Sequence, residues 1–258
     1  VNELYKFIGV EISDGIGWLI LRRVEKLNSL NSEVLDEFLK ALEELDARDD
    51  VKVIVVTGEG RVFSAGADLS EVANAKSAEE AGRLFTGIAR LARRMLDVEK
   101  PLILALNGDA YGGGAELLWA ADIVVSVENA KLVWAEARWG YNTPILPVLG
   151  QSILGPSKTA MLAMTIEPLT AKEAHHVGLI AKLTPDQRTL REEVIRIAKS
   201  IMENSPKAIK SIKKLLKLAK LTPIIELGFS ELEKLARGEE AREAAKAFIE
   251  KRKPEYKW

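Results

Sequence analysis

The chain predicts an α/β fold: a mixed core ending near residue 190, followed by a helical C-terminal part. Three observations carry that expectation. Up to about residue 127, β-rich apolar segments alternate with segments of helical period, the pattern of parallel strands joined by right-handed crossovers. Interior strand segments such as VKVIVVT are apolar nearly throughout, as strands buried on both faces are. Beyond about Leu146 the strand signal fades into helical sequence broken by prolines. At 258 residues the chain suits one large unit with a sizeable core.

The elements follow in order. Tyr5 to Ser13 and Ile16 to Arg22 flank Asp14-Gly15, which predicts a hairpin. From Ser32 to Arg48, Val34, Leu35, Phe38, Leu39, Leu42 and Leu45 recur at helical spacing behind the N-cap candidate Asn31. Val51 to Thr57 reads as a buried strand, and Ala78 to Asp97 as a helix. After Lys100-Pro101, Leu102 to Leu106 is a second apolar strand, and the apolar Ala115 to Ala121 leads into a third, Ile123 to Val127. Only Leu179 to Leu183 looks extended thereafter, and breaks fall near Pro156, Pro168, Pro185, Pro206 and Pro223. No Gly/Ser linker and no internal repeat separates the two parts, so the helical part is expected to pack on the core or on another subunit.

Bulk composition excludes several functions. With 37 basic and 38 acidic side chains the formal charge is −1, so neither a nucleic acid nor a membrane surface is expected as partner. Cysteine is absent, which removes disulfides, thiolate metal sites and a cysteine nucleophile. No apolar run approaches the roughly 20 residues that span a bilayer. The first residues lack the regions of a signal peptide, and a cytoplasmic location is expected. The abundance of Glu, Lys and Arg without cysteine hints at a thermophilic source.

Residues 108 to 122, GDAYGGGAELLWAAD, place three glycines at the start of an apolar helical run. Glycine costs roughly 0.5 to 1 kcal/mol relative to alanine inside a helix, so the triplet needs a reason. It is either a tight strand-to-helix turn, or a helix N-terminus stripped of side chains so that a ligand oxygen reaches its unsatisfied N–H groups. A second small-residue turn, Arg61 to Leu69 (RVFSAGADL), also follows a strand and precedes helical sequence. Two such turns can aim one N–H each at a single oxygen, which makes an oxyanion hole.

Other readings fail on spacing. Gly58 and Gly60 begin a dinucleotide fingerprint, but Phe63 occupies its third glycine position. Ser64 has Gly66 after it but Val62 before it, which breaks the nucleophile elbow. The only histidines, His175 and His176, are adjacent in a helical stretch and point apart, the pattern of surface or packing residues.

FSAGADL, followed by NGDAYGGGAELLWAADIVV at 107 to 125, resembles the enoyl-CoA hydratase/isomerase, or crotonase, superfamily. The resemblance extends from EKLNSLN at residue 25 through PLILALNG to AFIEKRKPEY near the C-terminus. It implies a crotonase-like spiral of ββα turns over residues 1–190 carrying an acyl-CoA site, and a helical trimerisation region over 191–258. Homotrimers or homohexamers follow from it. So does a coenzyme A thioester as substrate, with neither a separate cofactor nor a metal.

The resemblance also assigns roles. The Ala67 and Gly113 N–H groups would hold the thioester oxygen. Glu116 matches the first glutamate of the hydratases, and AKLVWAEARWG at 130 to 140 places Glu136 at the second. Taken alone, Glu136 has a second, less favoured reading as a solvated loop charge. Lys26 and Leu27 would contact the nucleotide end of coenzyme A, while Ala65, Gly66, Ala67, Asp68 and Leu69 would line the pantetheine path beside Gly113. Lys251-Arg252-Lys253 resembles a segment that reaches a neighbouring subunit's phosphates.

Two departures stand out. Ala135 replaces the proline usual before the second glutamate, and YNTPILPVLG at 141 to 150 replaces a glycine-rich stretch. The expected function is hydration of trans-2-enoyl-CoA to 3-hydroxyacyl-CoA. The alternatives are a 3-enoyl to 2-enoyl-CoA isomerase and a non-catalytic acyl-CoA-binding protein.

Overall fold

The computed structural model describes residues 5–220 and 223–256. β1 (Ile8–Ser13) and β2 (Ile16–Leu21) form the antiparallel hairpin. Asp14 and Gly15 turn it with φ of 51° and 79°, the two left-handed residues of a turn whose twist suits the flanking strands. α1 (Ser32–Ala47) begins where expected: the Asn31 side chain accepts the Val34 N–H at 2.9 Å. All six residues of its anticipated stripe are buried.

Three ββα turns follow. β3 (Val53–Gly58) and β4 (Val62–Ser64) precede α2 (Leu69–Asn74) and α3 (Ala78–Asp97). β5 (Leu102–Leu106) and β6 (Asp109–Tyr111) precede α4 (Gly113–Ala120). β7 (Ile123–Val127) and β8 (Lys131–Val133) lead through a 3₁₀ turn at Glu136–Trp139 to α5 (Leu146–Leu154) and α6 (Pro156–Thr165). β9 (Leu169–Thr170), α7 (Ala171–His176) and β10 (Lys182–Thr184) complete the core.

The first strand of each turn joins a six-stranded sheet of order β1-β2-β3-β5-β7-β10, and the second joins a four-stranded sheet of order β4-β6-β8-β9. This alternation between sheets is the expected spiral. β4, β6 and β8 are parallel neighbours, so their C-terminal ends lie at one edge. The segments that leave those ends are Ala65–Asp68, Gly112–Gly113 and Trp134–Glu136. Ligand sites of α/β sheets form at such carboxyl ends.

The four short strands of the second sheet are absent from the sequence-based expectation. Each spans two or three residues, fewer than two full alternations, so none can display a period of two. The core is dense with large side chains; Trp18, Phe38, Phe63 and Trp134 are each no more than 2% exposed.

α8 (Gln187–Met202) crosses residue 190 and lies against β7 and β10. α9 (Pro206–Lys220) turns Lys213 and Lys220 toward the core: Lys213 Nζ donates to Asp122 Oδ2 at 2.6 Å in a buried pair, and Lys220 Nζ donates to Ala121 O. Its apolar Ile212, Leu215 and Leu218 face outward and are exposed. α10 (Pro223–Leu235) and α11 (Glu239–Ile249) return to the site edge of the core, α10 against α3 and α5, α11 against α2 and the 3₁₀ turn.

Candidate active site

The two small-residue turns meet at the carboxyl edge of the second sheet. Leu30 N–H donates to Gly66 O and Asp68 N–H to Leu30 O, each at 2.8 Å, so a parallel bridge brackets Ala67. In that pattern the bracketed residue's own N–H points away from the partner strand. Gly112 sits at φ 49°, ψ −126°, a conformation suited to glycine, and its N–H donates to Val133 O at 2.8 Å. Gly113 opens α4, whose first helical bond is Glu116 N–H to Gly112 O at 3.0 Å. Among the described residues neither the Ala67 nor the Gly113 N–H finds an acceptor. A Cβ on Gly66 would lie 2.5 Å from Tyr111 O and 3.4 Å from Gly113 N, so the two turns are in contact.

Glu116, one turn into α4, is 2% exposed. Thr143 Oγ1 donates to its Oε1 at 2.6 Å, Ile145 N–H to its Oε2 at 2.6 Å, and Leu146 N–H to its Oε1 at 3.3 Å. These donors gather at the N-terminus of α5, where the helix dipole also favours an anion. Burial pushes the Glu116 pKa up to about 7, and the Thr143, Ile145 and Leu146 bonds oppose that rise.

Glu136 opens the 3₁₀ turn. Both its carboxyl oxygens are buried and without a hydrogen-bond partner, which excludes the reading as a solvated loop charge. A Cβ on Gly112 would lie 3.5 Å from Glu136 Oε1, so the carboxyl lies over the Gly112–Gly113 turn. Burial first, and then the charge of Glu116, hold its pKa well above the ordinary value. The pair therefore divides one proton unequally near neutral pH: Glu116 with three donors is the better anion, and Glu136 with none is the better acid.

Between the turns and the carboxyls lies a cavity of about 90 Å³, large enough for several waters. Ala65, Ala67, Leu69, Ala135 and Gly113 line it beside both glutamates. Its apolar wall comes from Phe85 and Ile88 of α3, Tyr141, and Leu232 of α10. The Phe85 and Tyr141 rings lie 4.0 Å apart between centroids.

Other anticipated residues fall as follows. Ala65 N–H donates to Leu27 O at 2.9 Å, which stitches the segment of Lys26 and Leu27 to the Ala67 turn, and both side chains are exposed. The Asp68 side chain turns to Arg23 Nη1 at 2.6 Å and caps α2 through Ser70, so it ties the loop together. Against the effect of burial, those hydrogen bonds hold its pKa below the usual range. Arg252 is engaged by Glu243 and Glu250 of its own chain. His175 Nδ1 lies 2.8 Å from Ile180 O and lines no part of this cavity.

Thr143, Ile145, Leu146 and Leu232 were not anticipated. The departure at YNTPILPVLG marked the place, but two of the three groups gripping Glu116 are backbone N–H donors, which no side-chain pattern discloses. The C-terminal helices also brace the site. A Cβ on Gly228 would lie 2.3 Å from Pro144 O, and Asn142 Nδ2 donates to Gly228 O at 3.1 Å. Tyr256 Oη donates to Arg138 O at 2.6 Å, and Trp139 meets Phe248 edge to face at 5.7 Å.

Two unengaged N–H donors beside two buried carboxyls of unequal proton affinity define a site able to hold an enolate oxygen and move protons at the adjoining carbons. Residues 11–258 match the family described as enoyl-CoA hydratase/isomerase. The chain is 33% identical over 238 residues to the "Probable enoyl-CoA hydratase" of Bacillus subtilis (strain 168), covering 89% of this chain and 91% of that one. It is 29% identical over 265 residues to the 1,2-epoxyphenylacetyl-CoA isomerase of Escherichia coli (strain K12), covering 98% and 99%. An enoyl-CoA hydratase structure from Mycobacterium avium subsp. paratuberculosis K-10 superposes with a TM-score of 0.84 at 25% identity, covering 98% of this chain and all of that one. The chain belongs to the enoyl-CoA hydratase/isomerase family.

Proposed function

We propose that this protein is an enoyl-CoA hydratase that adds water to trans-2-enoyl-CoA. The observation that carries the reading is the asymmetric carboxyl pair, Glu116 with three hydrogen-bond donors and Glu136 with none, beside the unengaged Ala67 and Gly113 N–H groups. The oxygen of water bonds to the β-carbon while Glu116 takes one water proton. The π electrons of the C=C bond move onto the thioester oxygen, held by the two N–H donors as an enolate. Glu136 gives its proton to the α-carbon, and the proton on Glu116 returns to Glu136 by exchange with solvent.

A second reading, isomerisation of 3-enoyl-CoA to 2-enoyl-CoA, draws support from the same geometry. Glu116 already accepts three bonds, whereas one unpartnered carboxyl at Glu136 suffices to move a proton between the α and γ carbons. The outward apolar face of α9 supports self-association, as a trimer or a pair of trimers. Feeding trans-2-enoyl-CoA and 3-enoyl-CoA in parallel separates the reactions. Formation of 3-hydroxyacyl-CoA from the first supports the hydratase, and a conjugated product from the second alone supports the isomerase. Tight acyl-CoA binding without turnover of either would make it a binding protein.

A further inference from the structure

Ser64 fails as a nucleophile by motif, yet it is 0% exposed at the junction of both oxyanion turns. Its Oγ donates to Asn28 O at 2.8 Å and accepts the Gly66 N–H at 3.1 Å. Its proton is committed to the Asn28 carbonyl and its lone pair to the Gly66 N–H, the bonding of a structural hydroxyl and not of a nucleophile. Gly66, fixed at φ 80° by that bond and by Leu30 N–H on its carbonyl, orients the next peptide, whose N–H belongs to Ala67. On its other side Ser64 abuts the helix that carries Gly113. A Cβ on Gly114 would lie 2.7 Å from Ser64 Cβ, 2.9 Å from Oγ and 3.0 Å from its carbonyl oxygen. The third glycine of the triplet thus exists to admit Ser64.

From this geometry we infer that Ser64 is a positioning residue that sets the separation and aim of the Ala67 and Gly113 N–H groups. The inference rests on the oxyanion reading above and adds the part that holds the hole open. The Ser64 hydroxyl governs the Ala67 side, and its contact with Gly114 governs the Gly113 side. Asn28 at φ 54° completes the clasp, its Nδ2 donating to Glu59 O and Val62 O at 2.9 Å each.

The test is isotope-edited infrared spectroscopy of carbonyl-labelled butyryl-CoA, a saturated thioester that cannot be hydrated, bound to the protein. Hydrogen bonds to a carbonyl lower its stretching frequency, so the wild-type protein should shift it downward. Ser64→Ala, which strands the Gly66 N–H and the Asn28 carbonyl, should lose a large part of that shift. Its kcat on whichever enoyl-CoA the wild type converts should fall about 10- to 100-fold while KM changes less than about threefold. Gly114→Ala should do the same from the opposite side with the hydroxyl intact. Should Ser64→Ala not fold, Ser64→Cys, a weaker donor and acceptor, should give an intermediate shift. An unchanged shift and kcat in the folded variants would overturn the role of Ser64. No downward shift in the wild type would instead overturn the oxyanion reading itself.

Discussion

Replacing Thr143 by valine tests how the carboxyl pair shares its proton. Thr143 Oγ1 donates to Glu116 Oε1 at 2.6 Å inside a buried site, and valine matches its shape without the hydroxyl. A hydrogen bond to a charged group contributes about 1.5–3 kcal/mol, and about 1.4 kcal/mol corresponds to one pH unit. The loss favours the protonated form of Glu116, whose pKa in the intact site is about 7. Because Glu116 must be ionised to accept the proton of water, the acid limb of the kcat/KM profile should move upward by roughly one to two pH units. The limb belongs to the coupled pair, so its whole displacement is the quantity to read. Initial rates of crotonyl-CoA hydration between pH 5 and 10 measure it. An unmoved acid limb, or one moved to lower pH, would refute the assignment of Glu116 as the ionised partner.

Three further outcomes follow from the same geometry. The Glu136 pKa is raised on folding, so the folded state binds a proton over a range where the unfolded chain has lost it. The associated stability is complete below about pH 4.5 and is lost as pH rises through the folded value. Glu136→Gln should therefore flatten the decline of Tm between pH 5 and 9 measured by calorimetry, and an equally steep decline would contradict an unpaired buried carboxyl. Ala67→Gly should keep activity within a few fold, whereas Ala67→Pro, which deletes the N–H, should lower kcat by about 100- to 1,000-fold. Comparable losses in both would argue against a main-chain role. Leu232 closes one wall of a cavity of about 90 Å³. Leu232→Ala should raise kcat/KM for eight-carbon relative to four-carbon enoyl-CoA, and an unaltered ratio would show that α10 does not limit the acyl chain.

What the sequence discloses depends on whether a feature repeats. The α1 stripe from Val34 to Leu45 spans several helical turns and the Asn31 cap is a local side-chain event, so both were legible. β4, β6 and β8 hold three residues each and owe their existence to pairing with one another, a tertiary effect that leaves no period in the chain. Yet these are the strands that bring Ala67, Gly113 and Glu136 together. The glutamates were located by resemblance, since an acidic residue at a helix start or in a loop is ordinary in itself. Their different environments were not legible, because Glu116 owes its partners to Ile145 and Leu146 N–H groups about 30 residues away. The GGG triplet is itself a signal, but the reason for Gly114 lies in Ser64 packed against it, a contact between residues 50 apart in the chain.

The most direct test is the loss of conjugated-thioester absorbance when crotonyl-CoA meets the wild-type protein, Glu116→Gln and Glu136→Gln, with the products identified. The account predicts 3-hydroxybutyryl-CoA from the wild type and a loss of about 100- to 10,000-fold in each variant. Hydration that survives both substitutions would contradict it, because the site would then be working without the carboxyl pair on which the mechanism stands.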